Sequence, residues 1–121
     1  MIEVILRDYL NEKLNVPVEF TRPTNENIME YVLLQKAGSG REDFLDRATF
    51  AVQSYSDTLY GAMTLNESVK TALLGDGMSH VGIAGELNNI SKCSLNSDYE
   101  YSDTTRKINR YQAVFDFIYK D

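Results

Sequence analysis

The chain has 121 residues, 43% of them hydrophobic and 25% charged, with a formal net charge of −6 and a single cysteine. This length fits one domain, residues 1–121, around one core, and the composition is that of an ordinary globular protein, which excludes a disordered chain or a disulfide framework. The acidic excess holds in both halves, so neither offers the clustered Lys and Arg that binding to a phosphate backbone demands. The start Met1-Ile2-Glu3 lacks the cationic segment and apolar run of a signal peptide, and no stretch approaches the ~20 apolar residues that span a bilayer. Folding in a reducing cytoplasm, away from membranes, is the expectation.

Ile2, Ile5, Leu6, Tyr9, Leu10 and Leu14 recur at helical spacing and predict a helix over residues 2–15, limited by Pro17. A short strand from Val18 to Thr21 follows, ended by Pro23, and Thr24-Asn25-Glu26-Asn27 reads as a polar turn. Tyr31 to Lys36 is apolar on both parities and predicts a strand. Ala48 to Tyr55 alternates, with Ala48, Phe50 and Val52 on one face. Between them, Gly38-Ser39-Gly40-Arg41-Glu42-Asp43 reads as the flexible connector of a long hairpin.

A second helix is expected from Asp57, its N-cap, to Leu74, with a stripe of Leu59, Ala62, Met63, Val69, Ala72 and Leu73. Gly61 within it costs up to about 1 kcal/mol relative to Ala, and Gly75-Asp76-Gly77 ends it. Gly82 and Gly85 argue against a regular element over residues 78–88. In the stretch Ile90 to Tyr101, an extended chain puts Cys93, Leu95, Tyr99 and Tyr101 on one face. After the turn Ser102 to Thr105, Tyr111, Ala113, Phe115, Phe117 and Tyr119 alternate with Gln112, Val114, Asp116 and Ile118, the clearest strand in the chain. The order α-β-β-β-α-β-β predicts an α+β fold, a mainly antiparallel sheet with two helices packed on it.

Chemistry-bearing groups are sparse. His80 is the only histidine, in a glycine-containing loop with no nucleophile motif beside it, and is expected to be solvated; no catalytic residue is assigned. Cys93 lies on an apolar strand face as a small hydrophobe, with the adjacent Lys92 pointing the opposite way. One His and one Cys cannot build a zinc site, and the carboxylates Glu42, Asp43 and Asp46 match no calcium loop, so no metal or cofactor is expected. Gly38-Ser39-Gly40 lacks the Lys-Ser/Thr of a phosphate-binding loop, and Arg41 and Arg47 flank carboxylates. Arg106, Lys107 and Arg110 precede the aromatic strand without interleaving with it. Tyr111, Phe115 and Phe117 are therefore read as core, not as a base-stacking platform.

Two blocks carry a resemblance. Arg47-Ala48-Thr49-Phe50-Ala51-Val52-Gln53-Ser54-Tyr55-Ser56-Asp57-Thr58-Leu59-Tyr60 resembles the strand-to-helix passage of the tail-terminator, or tail-completion, proteins of siphophages and prophages of Gram-positive bacteria. The segment Leu95 to Thr105, continuing through Arg110-Tyr111-Gln112-Ala113-Val114-Phe115-Asp116, is similar to a second part of the same family, and the opening helix with Pro17 to Pro23 also fits. The resemblance implies a structural, non-enzymatic subunit that forms a hexameric ring at the head-proximal end of the tail when assembled and can be a monomer when free. Such a ring terminates tail-tube growth and joins tail to head, with the tail-tube protein and the head-tail connector as partners. DNA passes through the lumen without specific binding. The protein would occupy the host cytoplasm during assembly and then the virion neck.

Gly38, Ser39, Gly40, Arg41, Glu42, Asp43 and Asp46 form the candidate inter-subunit or tail-contact loop. Two other readings stand beside the terminator: another neck ring, such as a head-closure or connector-adaptor protein, and a small ligand-binding regulatory α+β domain, which would need a concave pocket with converging polar groups.

Overall fold

The computed structural model describes residues 1–25 and 27–120, without the side chain of Glu42; Glu26, within the expected polar turn, lies outside the described residues. The elements run α1 (Ile2–Lys13), β1 (Val18–Glu19), β2 (Tyr31–Glu42), β3 (Leu45–Ser56), α2 (Leu59–Leu74), α3 (Ile83–Glu86), β4 (Ile90–Glu100) and β5 (Asn109–Tyr119). The strands form one sheet in the order β1-β2-β3-β5-β4, antiparallel except for the short parallel pair β1 and β2. The α+β architecture and the expected order of its main elements are both present.

Helix α1 buries Ile2, Leu6, Tyr9 and Leu10 and ends at Lys13, because Leu14 already turns into extended backbone ahead of Pro17. Asn11 then fastens the chain: its Oδ1 accepts from the Val18 amide at 3.0 Å and its Nδ2 donates to the Val18 carbonyl at 3.3 Å. The side-chain amide thus stands in for a strand neighbour, and β1 is held beside both α1 and β2.

One face of the sheet carries Val32, Leu34, Ala48, Phe50, Val52, Ala113, Phe115, Phe117 and Tyr119, packed with the apolar sides of α1 and α2 into one core. Phe50 and Phe117 meet edge to face at 5.9 Å, a geometry that the ring quadrupoles favour. The buried side of α2 is Ala62, Leu65, Asn66, Val69, Ala72 and Leu73. Leu59 and Met63, expected in that stripe, remain 38% and 40% exposed, since Leu65 and Asn66 face the sheet in their place.

Three local expectations are corrected. The N-cap of α2 is Thr58, not Asp57: its Oγ1 accepts from the Gly61 amide at 2.9 Å. A Cβ on Gly61 would stand 2.2 Å from Ser56 Oγ, so glycine is needed where the cap folds over the first turn. Residues 83–86 form a helical turn despite Gly85, anchored by the fully buried Ile83.

In β4 the register shifts between Ile90 and Lys92 and again between Leu95 and Ser97. Cys93 and Leu95 therefore oppose Phe117 and Phe115 of the core face, whereas Tyr99 opposes Gln112 of the other face. An extra residue in one strand reverses the parity of everything after it, which alternation in sequence cannot reveal.

Candidate functional site

The hairpin that carries the predicted contact residues is not a flexible connector. Gly38, Ser39, Gly40, Arg41 and Glu42 belong to β2 and pair with Thr49, Ala48, Arg47, Asp46 and Leu45. The connection is the two residues Asp43 and Phe44, both with left-handed backbone (φ 53° and 68°), the conformation that matches a tight turn to the twist of its strands. The Gly/Ser composition suggested a loop, but the ladder of backbone hydrogen bonds overrides it.

Arg41 Nε lies 3.8 Å from Asp46 Oδ1 across the strands, an exposed pair of little energetic weight. Phe44, absent from the predicted set, is 85% exposed at the very tip. Left-handed backbone costs a non-glycine residue about 1 kcal/mol.

His80 also departs from expectation. Its side chain is 22% exposed, with Nε2 3.0 Å from the Ala72 carbonyl and Nδ1 3.3 Å from Glu86. Glu86 also pairs with Lys13 at 3.1 Å, and Tyr9 donates to the same Ala72 carbonyl at 3.1 Å. Lys13 holds the Glu86 carboxyl below the usual carboxylate range, while burial and Glu86 push the Tyr9 hydroxyl well above its ordinary value. The loop itself is tied by Asp76, which accepts from the amides of Met78 (2.8 Å) and His80 (3.0 Å). The His80 amide, then that of Met78, lowers its pKa. The histidine is a clasp between the end of α2, the loop and α3.

Cys93 is half-buried against the core, and burial followed by the nearby Asp116 pushes its thiol up to about 12. That keeps it protonated and unreactive at neutral pH. Among the described residues no three His, Cys, Asp or Glu side chains are grouped to hold a metal ion. Phe115 and Phe117 are core, as read from sequence; Tyr111 is half-buried.

The structure assembles a cluster that no sequence window displays. On the sheet face opposite the core, the Tyr31 and Tyr55 rings stack at 4.6 Å, 13° from parallel. Arg22 lies 5.7 Å from the Tyr55 ring, and Arg110 lies 5.8 Å from Tyr55 and 4.4 Å from Tyr101. Tyr99 and Tyr101 meet edge to face at 6.0 Å.

Hydrogen bonds run through it in sequence: Arg110 donates to Tyr55, Tyr55 to Gln53, Gln53 to Gln112 and Gln112 to Tyr99. The chain crosses β5, β3 and β4, which the pairing Gln53↔Gln112↔Tyr99 makes neighbours. Sequence-separated residues meet here through register alone. Neither Arg22 nor Arg110 has a carboxylate partner among the described residues.

On the opposite face an open groove of about 500 Å³ runs between the end of α1 and α2, lined by Lys13, Leu14, Val16, Tyr60, Thr64 and Ser68. No described helix is long and apolar enough to cross a membrane.

No protein-family model matches the chain, and no curated protein matches it. Among solved structures, it is similar in fold to a chain in the virion of a native gene transfer agent (GTA) particle. The TM-score is 0.60 at 14% identity, over 97% of this chain and 85% of the other. At that identity the likeness is one of fold.

Proposed function

We propose that this chain is a structural, non-enzymatic subunit of a phage-type virion. It assembles as a hexameric ring at the head-proximal end of the tail, where it stops tail-tube growth and joins tail to head. The observation that supports a virion subunit is the fold shared with a virion chain over nearly the whole length of this one. The ring role rests on the tail-terminator resemblance, whose first block spans most of β3 and the start of α2 and whose second spans the later half of β4 and most of β5. The partners are further copies of this chain, the tail-tube protein on one side and the head connector on the other, with DNA crossing the lumen unbound.

Residues 38–43 and Asp46 form the contact element, working as a rigid hairpin end. Because the ladder already orders them, docking there costs little conformational entropy.

Electron microscopy of the full chain, alone and mixed with tail-tube protein, tests the ring; rings capping tubes are the expected result. A pull-down that captures only portal-side protein would replace the terminator with another neck ring. A stable dimer with a small molecule bound would overturn the structural reading altogether.

A further inference from the structure

The two ends of the β2–β3 hairpin carry complementary surfaces. At the tip stand the carboxylate Asp43 and the aromatic Phe44, preceded by Glu42 in sequence. Asp43 has no ion-pair partner among the described residues. Phe44 is exposed in a backbone conformation that glycine or asparagine would occupy more easily, so neither packing nor turn geometry accounts for it. At the base, where Tyr31 pairs with Tyr55, stands the cluster of Arg22, Arg110 and four tyrosines. Tyr99 and Tyr101 are 43% and 44% exposed, and Arg22 is exposed.

Strands of 12 residues at ~3.3 Å per residue separate the two ends by roughly 40 Å. A ladder of that length cannot fold back on itself, so the tip cannot reach its own base. We infer that the hairpin tip of one copy, through Asp43 and Phe44, docks on the arginine–tyrosine cluster of a second copy, a contact resting on the proposal that the chain is a ring subunit.

The chemistry fits in kind on both counts. The exposed Arg22 guanidinium, without a carboxylate partner among the described residues, is matched to the Asp43 carboxylate, and tyrosine and arginine are the residues on which interfaces concentrate their energy. A contact between different patches on the two partners is heterologous, so it propagates from copy to copy and ends only by closing into a ring. The hydrogen-bond chain from Arg110 to Tyr99 holds the receiving surface in place before contact.

The test uses the full chain. Asp43→Cys and Arg22→Cys variants, mixed and treated with a short bis-maleimide, should give a mixed cross-linked dimer, while Asp43→Cys alone should give none. Both variants are made in a Cys93→Ala background, because Cys93 is only half-buried. Asp43→Arg or Arg22→Glu alone should weaken self-association by roughly a hundredfold in sedimentation, and the double reversal should restore most of it. Phe44→Gly should weaken association while raising thermal stability, a split that a merely structural role does not produce.

Rings that persist unchanged in all three single variants (Asp43→Arg, Arg22→Glu and Phe44→Gly) would overturn this contact and leave the ring proposal standing. Cross-linking of tip to tip, or of the tip only to tail-tube protein, would overturn it as well. A wild-type chain that remains monomeric at about 1 mM and forms no ring on tail-tube protein would remove both.

Discussion

Two glycine-bearing segments, Gly38 to Glu42 and Gly75 to Glu86, look alike in sequence and behave differently in the fold. The first is ordinary strand, and a Cβ added at Gly38 or Gly40 would meet nothing within 4 Å. In the second, Gly75 and Gly82 take left-handed backbone, and a Cβ would press on the His80 carbonyl at 2.6 Å or the Leu73 carbonyl at 2.7 Å. In the hairpin, glycine leaves a bare, slender surface. In the loop, it lets two stretches of backbone pass in contact. The same residue type marks a surface device in one place and a packing constraint in the other.

The contrast can be broken by substitution. Gly82→Ala should have the largest effect, because left-handed strain and a backbone clash combine: a loss of about 3 kcal/mol or more, read from urea unfolding. His80→Ala should come next, at about 1–2 kcal/mol, since it removes the clasp from the Ala72 carbonyl and Glu86. Gly40→Ala should go the other way and stabilise by about 0.5 kcal/mol, because its backbone is already extended and the added methyl has room. If Gly82→Ala and Gly40→Ala gave equal losses, the distinction between the two segments would be wrong.

Acid should sharpen the same comparison by a smaller, local effect. Asp76 and Glu86 are held below the usual carboxylate range, Asp76 chiefly by the His80 amide and Glu86 chiefly by Lys13. A folded-state pKa below the unfolded value stabilises above the unfolded value of about 4. That stabilisation is lost as pH falls through the folded one. Amide resonances of Met78 and His80, followed by NMR from about pH 6 to about pH 3, should move before those of Gly38 and Gly40.

Much of the architecture was legible because it depends on neighbours in sequence. The alternation from Tyr111 to Tyr119 and the three- and four-residue spacing in α1 predict elements that the core then uses as read. The glycine stop at Gly75 was equally readable. The boundaries were less so: Asp57 yields the cap to Thr58, whose hydroxyl reaches the Gly61 amide. Residues 38–43 and Asp46 do lie at one end of the long hairpin, as the sequence placed them, but in strand and turn rather than in a flexible loop. Gly and Ser composition reports local preference, and the pairing with β3 outweighs it.

The sequence by itself determined the order of the main elements, the apolar faces of β3 and β5, and the presence of one histidine and one cysteine. Periodicity and residue type are local quantities, and those three properties follow from them. Only the tertiary structure decided the parity of β4 beyond its bulges, the clasp of His80, and the meeting of Arg22, Tyr31, Tyr55, Tyr99, Tyr101 and Arg110. Each depends on strand register or on loop closure between distant segments, and a shift of one residue in any ladder would disperse the cluster across both faces of the sheet.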